Sequence, residues 1–377
     1  MAAMLLAAAL PASAQQNAPD APAATPPASS QGPVLHRAPA AKPATPVAVK
    51  PISLLAVVRD KKGQPVMALT KDDLVLEQDG RSQAITQFAP QSDQPLILGI
   101  LADTQPGQRK ELADERKAGT DFVNKLREQD KGFVLHFDHE VELLQDITGS
   151  RDRLARGVDE ISVGDTASNA HGRHRDDPGS DQPHYFFGGG LLYDAVYLTA
   201  TEVLKDQHGR KAVIVFSDGV DHQSKVNLDR AIEAAQRADI VVYTVYVASE
   251  RDETQQEQQG GYGRRGGGFP GGQGPFPGGG YPGGGGRRQP PQPEPKENKD
   301  AAKKTLKRLA DETGGRTFEI TKKELAAQIY AQIGDELNHQ YGLVYTPDHL
   351  DAGYHRIKLS TKKSDMTVQT RDGFYGD

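Results

Sequence analysis

The sequence predicts a doubly wound, mostly parallel α/β fold with a small accessory β module built from flanking strands, on three observations. Two continuous apolar runs, Leu96–Asp103 (LILGILAD) and Lys211–Asp218 (KAVIVFSD), each end in an acidic turn, the pattern of central strands covered on both faces. Strand-like and helix-like periodicities alternate from Pro95 to about Val247, as in a parallel sheet assembled from βαβ units. Short alternating segments stand on both flanks of that region. Ligands of open parallel sheets gather at the carboxyl ends of the strands, so the functional question falls on the turns after Asp103 and Asp218.

Residues 1–14 combine an apolar run with Ala12-Ser13-Ala14, which predicts a signal peptide cut after Ala14; the alternative is an Ala-rich lead. Residues 15–50 are Pro, Ala, Ser and Thr with little apolar bulk, a composition that cannot repay ordering and predicts a linker. In 51–90, ISLLAVVRD and DDLVLEQD with turns at Lys61-Lys62-Gly63 and Asp79-Gly80 predict two or three strands, too few to stand alone.

The α/β region is placed at 95–338. Its predicted elements are a strand at Leu96–Ala102, a helix at Arg109–Glu128, strands at Gly132–Phe137 and Val141–Ile147, and a helix at Leu191–Leu204. A strand at Ala212–Phe216, a helix at Leu228–Ala238 and a strand at Ile240–Val247 follow, each on its hydrophobic period. Then come a helix at Asp300–Thr313 stopped by Gly314-Gly315, a strand at Arg316–Ile320, and a helix opened by a capping box at Thr321–Glu324,. Insertions at 164–187, with His171, His174 and His184, and at 251–297, Gly-rich over Gly260–Arg288 with Pro, Arg, Tyr and Phe, break the rhythm and read as disordered. Residues 339–377 hold three short strands (YGLVYTP, YHRIKLS, MTVQT) expected to pair with those before Pro95.

Composition narrows the function classes. A net charge of -6 argues against a nucleic-acid binder, which carries a basic excess. With no Cys among 377 residues, disulfides, thiolate nucleophiles and Cys-containing zinc sites are excluded. No apolar run beyond the first is long enough to cross a bilayer. Enzyme signatures are missing: there is no G-x-S-x-G elbow, no H-E-x-x-H and no G-x-x-x-x-G-K-[ST] loop,. Gly261–Gly266 fits G-x-G-x-x-G only inside low complexity, and the insertion histidines have no ligand geometry. Asp218, Asp221 and His222 lie close together at a strand end, where acid–base work and a plain polar loop are the two readings.

Several separated motifs carry a resemblance. LGILADTQPGQ, GGGLLYDAV, KAVIVFSDGVD, LADETGGRTFEI, QYGLVYTP and a closing VQTRDGFY, with VRDKKGQPVMALTKDDLVLEQDGRSQAITQF ahead of them, resemble the bacterial von Willebrand factor A (VWA) related family of the acidobacterial type, from Pro51 to the C-terminus. The resemblance implies a metal-ion-dependent adhesion site: a D-x-S-x-S turn, a Thr in G-G-T-x-L-Y-D-A and a distal Asp hold a divalent cation, usually Mg²⁺, which an acidic residue of a partner protein completes. Such a hard cation wants six oxygens in octahedral array. Here Asp103 matches the first Asp and Asp218 the distal one, while the Ser positions are Gln105 and Gly107 and the Thr position is Gly190. Thr104 is out of register by one. The resemblance thus implies a degenerate site in which Mg²⁺ would rest on Asp103 and Asp218, and the alternative is that these two carboxylates accept loop amide protons. The expected function is a periplasmic or secreted, non-catalytic protein-binding module whose recognition edge holds Asp103, Thr104, Gln105, Gly107, Gly190, Asp218 and Asp221. An envelope scaffold acting through the Gly-rich and linker segments, and a hydrolase built on the Asp/His cluster, are the alternatives.

Overall fold

The computed structural model describes residues 50–105, 109–162, 190–248, 299–321 and 325–376. The predicted signal peptide, the linker up to Val49, both insertions, Gly107 and three of the four capping-box residues lie outside the described residues.

A six-stranded sheet forms the centre. Its strands are β5 (Leu96–Asp103), β6 (Lys131–Phe137), β7 (Val141–Thr148), β8 (Arg210–Ser217), β9 (Ile240–Tyr246) and β10 (Thr317–Glu319), in the order β7-β6-β5-β8-β9-β10. All neighbours are parallel except β6 and β7. β5 is buried at every residue, as a strand covered on both faces must be. Alternate side chains of β5 serve opposite layers. Leu96, Leu98, Ile100 and Ala102 pack with α1 (Arg109–Val123), α2 (Arg151–Glu160) and α6 (Ala326–Asn338). Ile97 and Leu101 pack with α3 (Leu192–Leu198), α4 (Leu228–Arg237) and α5 (Lys299–Thr313). Gly99 has no side chain because the Phe133 ring of β6 takes its place; a Cβ there would stand 2.2 Å from the ring.

The flanks are richer in strands than the sequence predicts. Residues before Pro95 form β1 (Ile52–Asp60), β2 (Leu74–Gln78), β3 (Arg81–Gln83) and β4 (Ile85–Pro90). The C-terminal stretch forms β11 (Tyr341–Tyr345), β12 (Gly353–Thr361), β13 (Met366–Gln369) and β14 (Gly373–Gly376). They assemble into two four-stranded sheets, β13-β1-β11-β4 and β14-β12-β2-β3, which share a core of Leu54, Leu76, Leu343, Tyr345, Ile357 and Phe374. The extra strands, β3 and β14, are short and Gly- or polar-bounded, so single-sequence periodicity passes over them.

Three helices differ from expectation. α1 stops at Val123, not Glu128, because Arg127 and Asp130 close a turn in which the Arg127 N–H and guanidinium donate to Asp130. α3 passes into a π turn at Thr199–Val203. α6 begins at Ala326, beyond the predicted capping box, with the Leu325 N–H donating to the Gln328 side chain. α5 ends where expected, at Gly314, whose φ of +88° lies in the left-handed region that glycine favours,.

The chain passes between sandwich and sheet twice, at Gln91–Pro95 and at Asn338–Gln340, and Arg210 at the foot of β8 holds both crossings. Its guanidinium donates to the carbonyls of Gln91 (2.9 Å), Gln94 (3.1 Å) and Leu337 and to the Gln340 side chain (2.9 Å). Burial, with the nearby Arg127 charge, pushes Arg210 down to about 10, still cationic at neutral pH. A second tie centres on the buried Glu336 of α6, which pairs with the buried Arg59 of β1 (3.1 Å) and with the half-buried Arg316 (2.9 Å). Arg210→Met is expected to lower stability by about 3 kcal/mol or more, since several buried carbonyls lose a charged donor; urea unfolding measures it, and a change within the usual surface range would contradict this role.

Candidate functional site

The carboxyl ends of β5 and β8 are neighbours, and the strand order reverses between them, since β5 leads on to β6 on one side and β8 to β9 on the other. This is the switch point at which open α/β sheets leave a crevice. Asp103 is the last residue of β5 and is 2% exposed. Its carboxylate accepts the Gln105 backbone N–H (3.1 Å), the Gln105 side-chain amide (3.3 Å) and the Ser217 hydroxyl (2.8 Å). Ser217, at the end of β8, also accepts the Gly219 N–H (3.0 Å). Asp218 accepts the Val220 N–H (3.0 Å).

Thr104 turns away from this pocket. Its hydroxyl meets His136 Nδ1 (3.1 Å), and His136 Nε2 meets the Glu142 carboxylate (3.0 Å), which makes a chain from the buried Thr104 across β6 to the exposed tip of β7. Gly190 opens the segment before α3, and its carbonyl accepts the His222 N–H (3.1 Å). Asp221 accepts the Tyr193 N–H (3.0 Å) at the start of α3 and the Ser224 hydroxyl (2.5 Å). Asp194 answers from α3, taking the N–H groups of Lys225 and Val226 (both 3.0 Å). The two loops are therefore clasped reciprocally by carboxylates, as helix-start geometry favours.

Of the seven expected edge residues, the structure brings Asp103, Gln105, Gly190, Asp218 and Asp221 to one end of the sheet. Thr104 sits beneath them, and Gly107 lies outside the described residues. Sequence reasoning missed Ser217, Asp194, Ser224, His136 and Glu142. Ser217 was readable as the residue before Asp218 at a strand end; the others meet only through tertiary contact.

The donors do not fit a hard cation. Such an ion asks for several oxygens aimed at one centre. Gln105 instead turns its amide nitrogen toward Asp103, Gly190 supplies no side-chain oxygen, and Ser217 directs its proton to Asp103. Among the described residues no group of three or more His, Cys, Asp or Glu stands together as a metal cluster. Two close carboxylates then share one neighbourhood. Burial first, and the Asp218 charge second, push the Asp103 carboxyl up to about 8 despite its hydrogen bonds,.

A cavity of about 350 Å³ lies at the opposite end of the sheet, between Leu55 and Val344 of the sandwich and Arg210, Ile240 and Arg371.

No family model matches the chain, and no curated protein matches it. Solved structures do. The chain is similar to an aerotolerance-related membrane protein from Bacteroides fragilis NCTC 9343, at 16% identity over 64% of this chain and 98% of that one, with a TM-score of 0.38. It is similar to von Willebrand factor type A from Catenulispora acidiphila, at 9% identity over 86% and 73%, with a TM-score of 0.41. It is also similar to proximal thread matrix protein 1 from the mussel byssus, at 10% identity over 73% and 51%, with a TM-score of 0.42. The fold class itself stands on the strand order and register above.

An acid whose folded pKa is raised holds its proton longer in the folded state, so stability falls as pH climbs from the ordinary 3.8 toward about 8,. Asp103→Asn keeps the shape and cannot ionise. It is expected to flatten that slope and to stabilise the protein at about pH 8.5 by on the order of a few kcal/mol. Urea unfolding of both proteins at about pH 5 and about pH 8.5 checks this; an unchanged slope would count against it.

Proposed function

We propose that this chain is an exported, non-catalytic recognition module of the VWA type, binding a partner protein through the carboxyl edge of its six-stranded sheet without a resident cation. The observation that carries the reading is the switch point itself. The loops that meet there are braced by Asp103, Asp194 and Asp221, which gives a preorganised surface that loses little entropy on binding. His222, Gln223 and Lys225 are exposed on it.

The chemistry present supports binding over turnover. Glu142–His136–Thr104 has the order of a nucleophile relay, but Thr104 has no exposed surface, so its hydroxyl meets no substrate. The Ser224 hydroxyl beside Asp221 is engaged on both sides, donating to that carboxylate and accepting the Asp194 N–H, which is the pattern of a loop brace and not of a poised nucleophile. Export rests on the small-residue pattern ending at Ala14. No helix of the described residues is long and apolar enough to cross a membrane.

The test is recovery of a partner by tagged protein from envelope and culture fractions. His222→Ala with Gln223→Ala is expected to lower recovery about tenfold or more, as loss of a central contact does. Lys358→Ala on the sandwich should leave it unchanged. Recovery that survives the edge substitutions but is lost on deleting Gly260–Arg288 would replace this reading with the scaffold, and His222-dependent turnover of an ester, glycoside or peptide would replace it with the hydrolase.

A further inference from the structure

We infer that the Gln105 carboxamide is the built-in occupant of the position a cation would take, and that Gly190 lacks a side chain to make room for it. This deepens the proposal of a cation-free edge and rests on it.

Three facts converge. First, Asp103 is buried and every described contact to its carboxylate is a hydrogen-bond donor: a backbone N–H and an amide from Gln105 and a hydroxyl from Ser217. An amide dipole held against a buried carboxylate does part of what a cation does there, stabilising negative charge without bringing a full charge of its own. Second, a Cβ at Gly190 would stand 2.4 Å from Gln105 Nε2 and 2.8 Å from the Val220 carbonyl oxygen. The Gln105 amide therefore lies where the side chain of residue 190 would project. Third, the Val220 carbonyl also closes this space, so a side chain at 190 would meet a side chain and fixed backbone together. The glycine is there for clearance. Residue identities at 105 and 190 are thus one decision: a long amide at the first requires no side chain at the second.

The closing experiment follows melting temperature with and without millimolar Mg²⁺ or Mn²⁺. The wild-type protein is expected to be unmoved by either ion. Gln105→Glu keeps the length and the clearance but replaces the donor with a third carboxylate, and is expected to melt about 5 °C lower or more without cation. Restoration of that loss by Mn²⁺ would show the amide and the ion to be interchangeable. A second arm needs no cation. Gly190→Ala should cost more beside Gln105 than in a Gln105→Ala background, because only the contact to the Val220 carbonyl persists there, and the difference reads as non-additive melting shifts. Saturable stabilisation of the wild type by Mg²⁺ or Mn²⁺ that Asp103→Asn abolishes would overturn the inference. So would additive shifts at 105 and 190. Partner recovery tests the recognition edge and these melts test its interior, so the two proposals fail separately.

Discussion

Arg210 is the point on which the architecture turns. A sandwich whose strands come from both ends of the chain must let the chain leave and return, and both passages run through the foot of the sheet beside this one guanidinium. Loops at such a crossing carry backbone carbonyls that would otherwise be buried without donors. A planar group with five N–H donors satisfies several at once, which a lysine's single ammonium could not do with fixed directions. Arg127 does the same for Ser92 and Gln94 one layer out. The Arg59–Glu336–Arg316 triad then fixes the angle between β1 and α6. Both devices place charge inside the protein, and both are coherent only because each charge meets an opposite charge or several carbonyls.

The head of the sheet is organised on the opposite plan. There the charges are carboxylates, and their partners are loop N–H groups, hydroxyls and one amide. The foot uses Arg210 and Arg127 to gather carbonyls, with Asp130 set among them to take the Leu96 and Arg127 N–H groups; the head uses carboxylates to gather N–H groups. This polarity follows the direction of the parallel strands, whose carboxyl ends lead into loops and helix starts with N–H groups to satisfy. Asp194 and Asp221 exchange loop contacts across the gap between α3 and the segment after β8, so these two described segments are tied to each other.

Much of the fold was legible because the signals were redundant. β5, β8 and β9 are unbroken apolar runs, and Gly314 marks the end of α5 without ambiguity. β3 and β14 were hidden because strands of three and four residues, RSQ and GFYG, are too short to show a period. α1 was overextended because Leu126 continues the apolar spacing, while the turn that ends the helix depends on Arg127 meeting Asp130. At the site, the two acidic anchors were visible as strand ends. The role of Gln105 was not, since its chemistry depends on which end of the amide faces Asp103 and on the empty space at Gly190, and neither is written in spacing. Ser217 was hidden in plain view inside an apolar run.

The strand pairing of the sandwich has a consequence in time. Ile52 lies opposite Tyr345, and Val57 opposite Gln369, so almost the whole chain separates partners that must meet. Until the last four strands are in place, the first four lack most of their partners. During that interval their apolar faces and unpaired edges are templates for wrong partners. The α/β half, whose strands pair across shorter separations, is free to fold in the meantime, and long-range pairing is the slow step of such topologies. Closing the sandwich therefore brings together the two ends of the described chain, Ile52–Pro90 and Tyr341–Gly376.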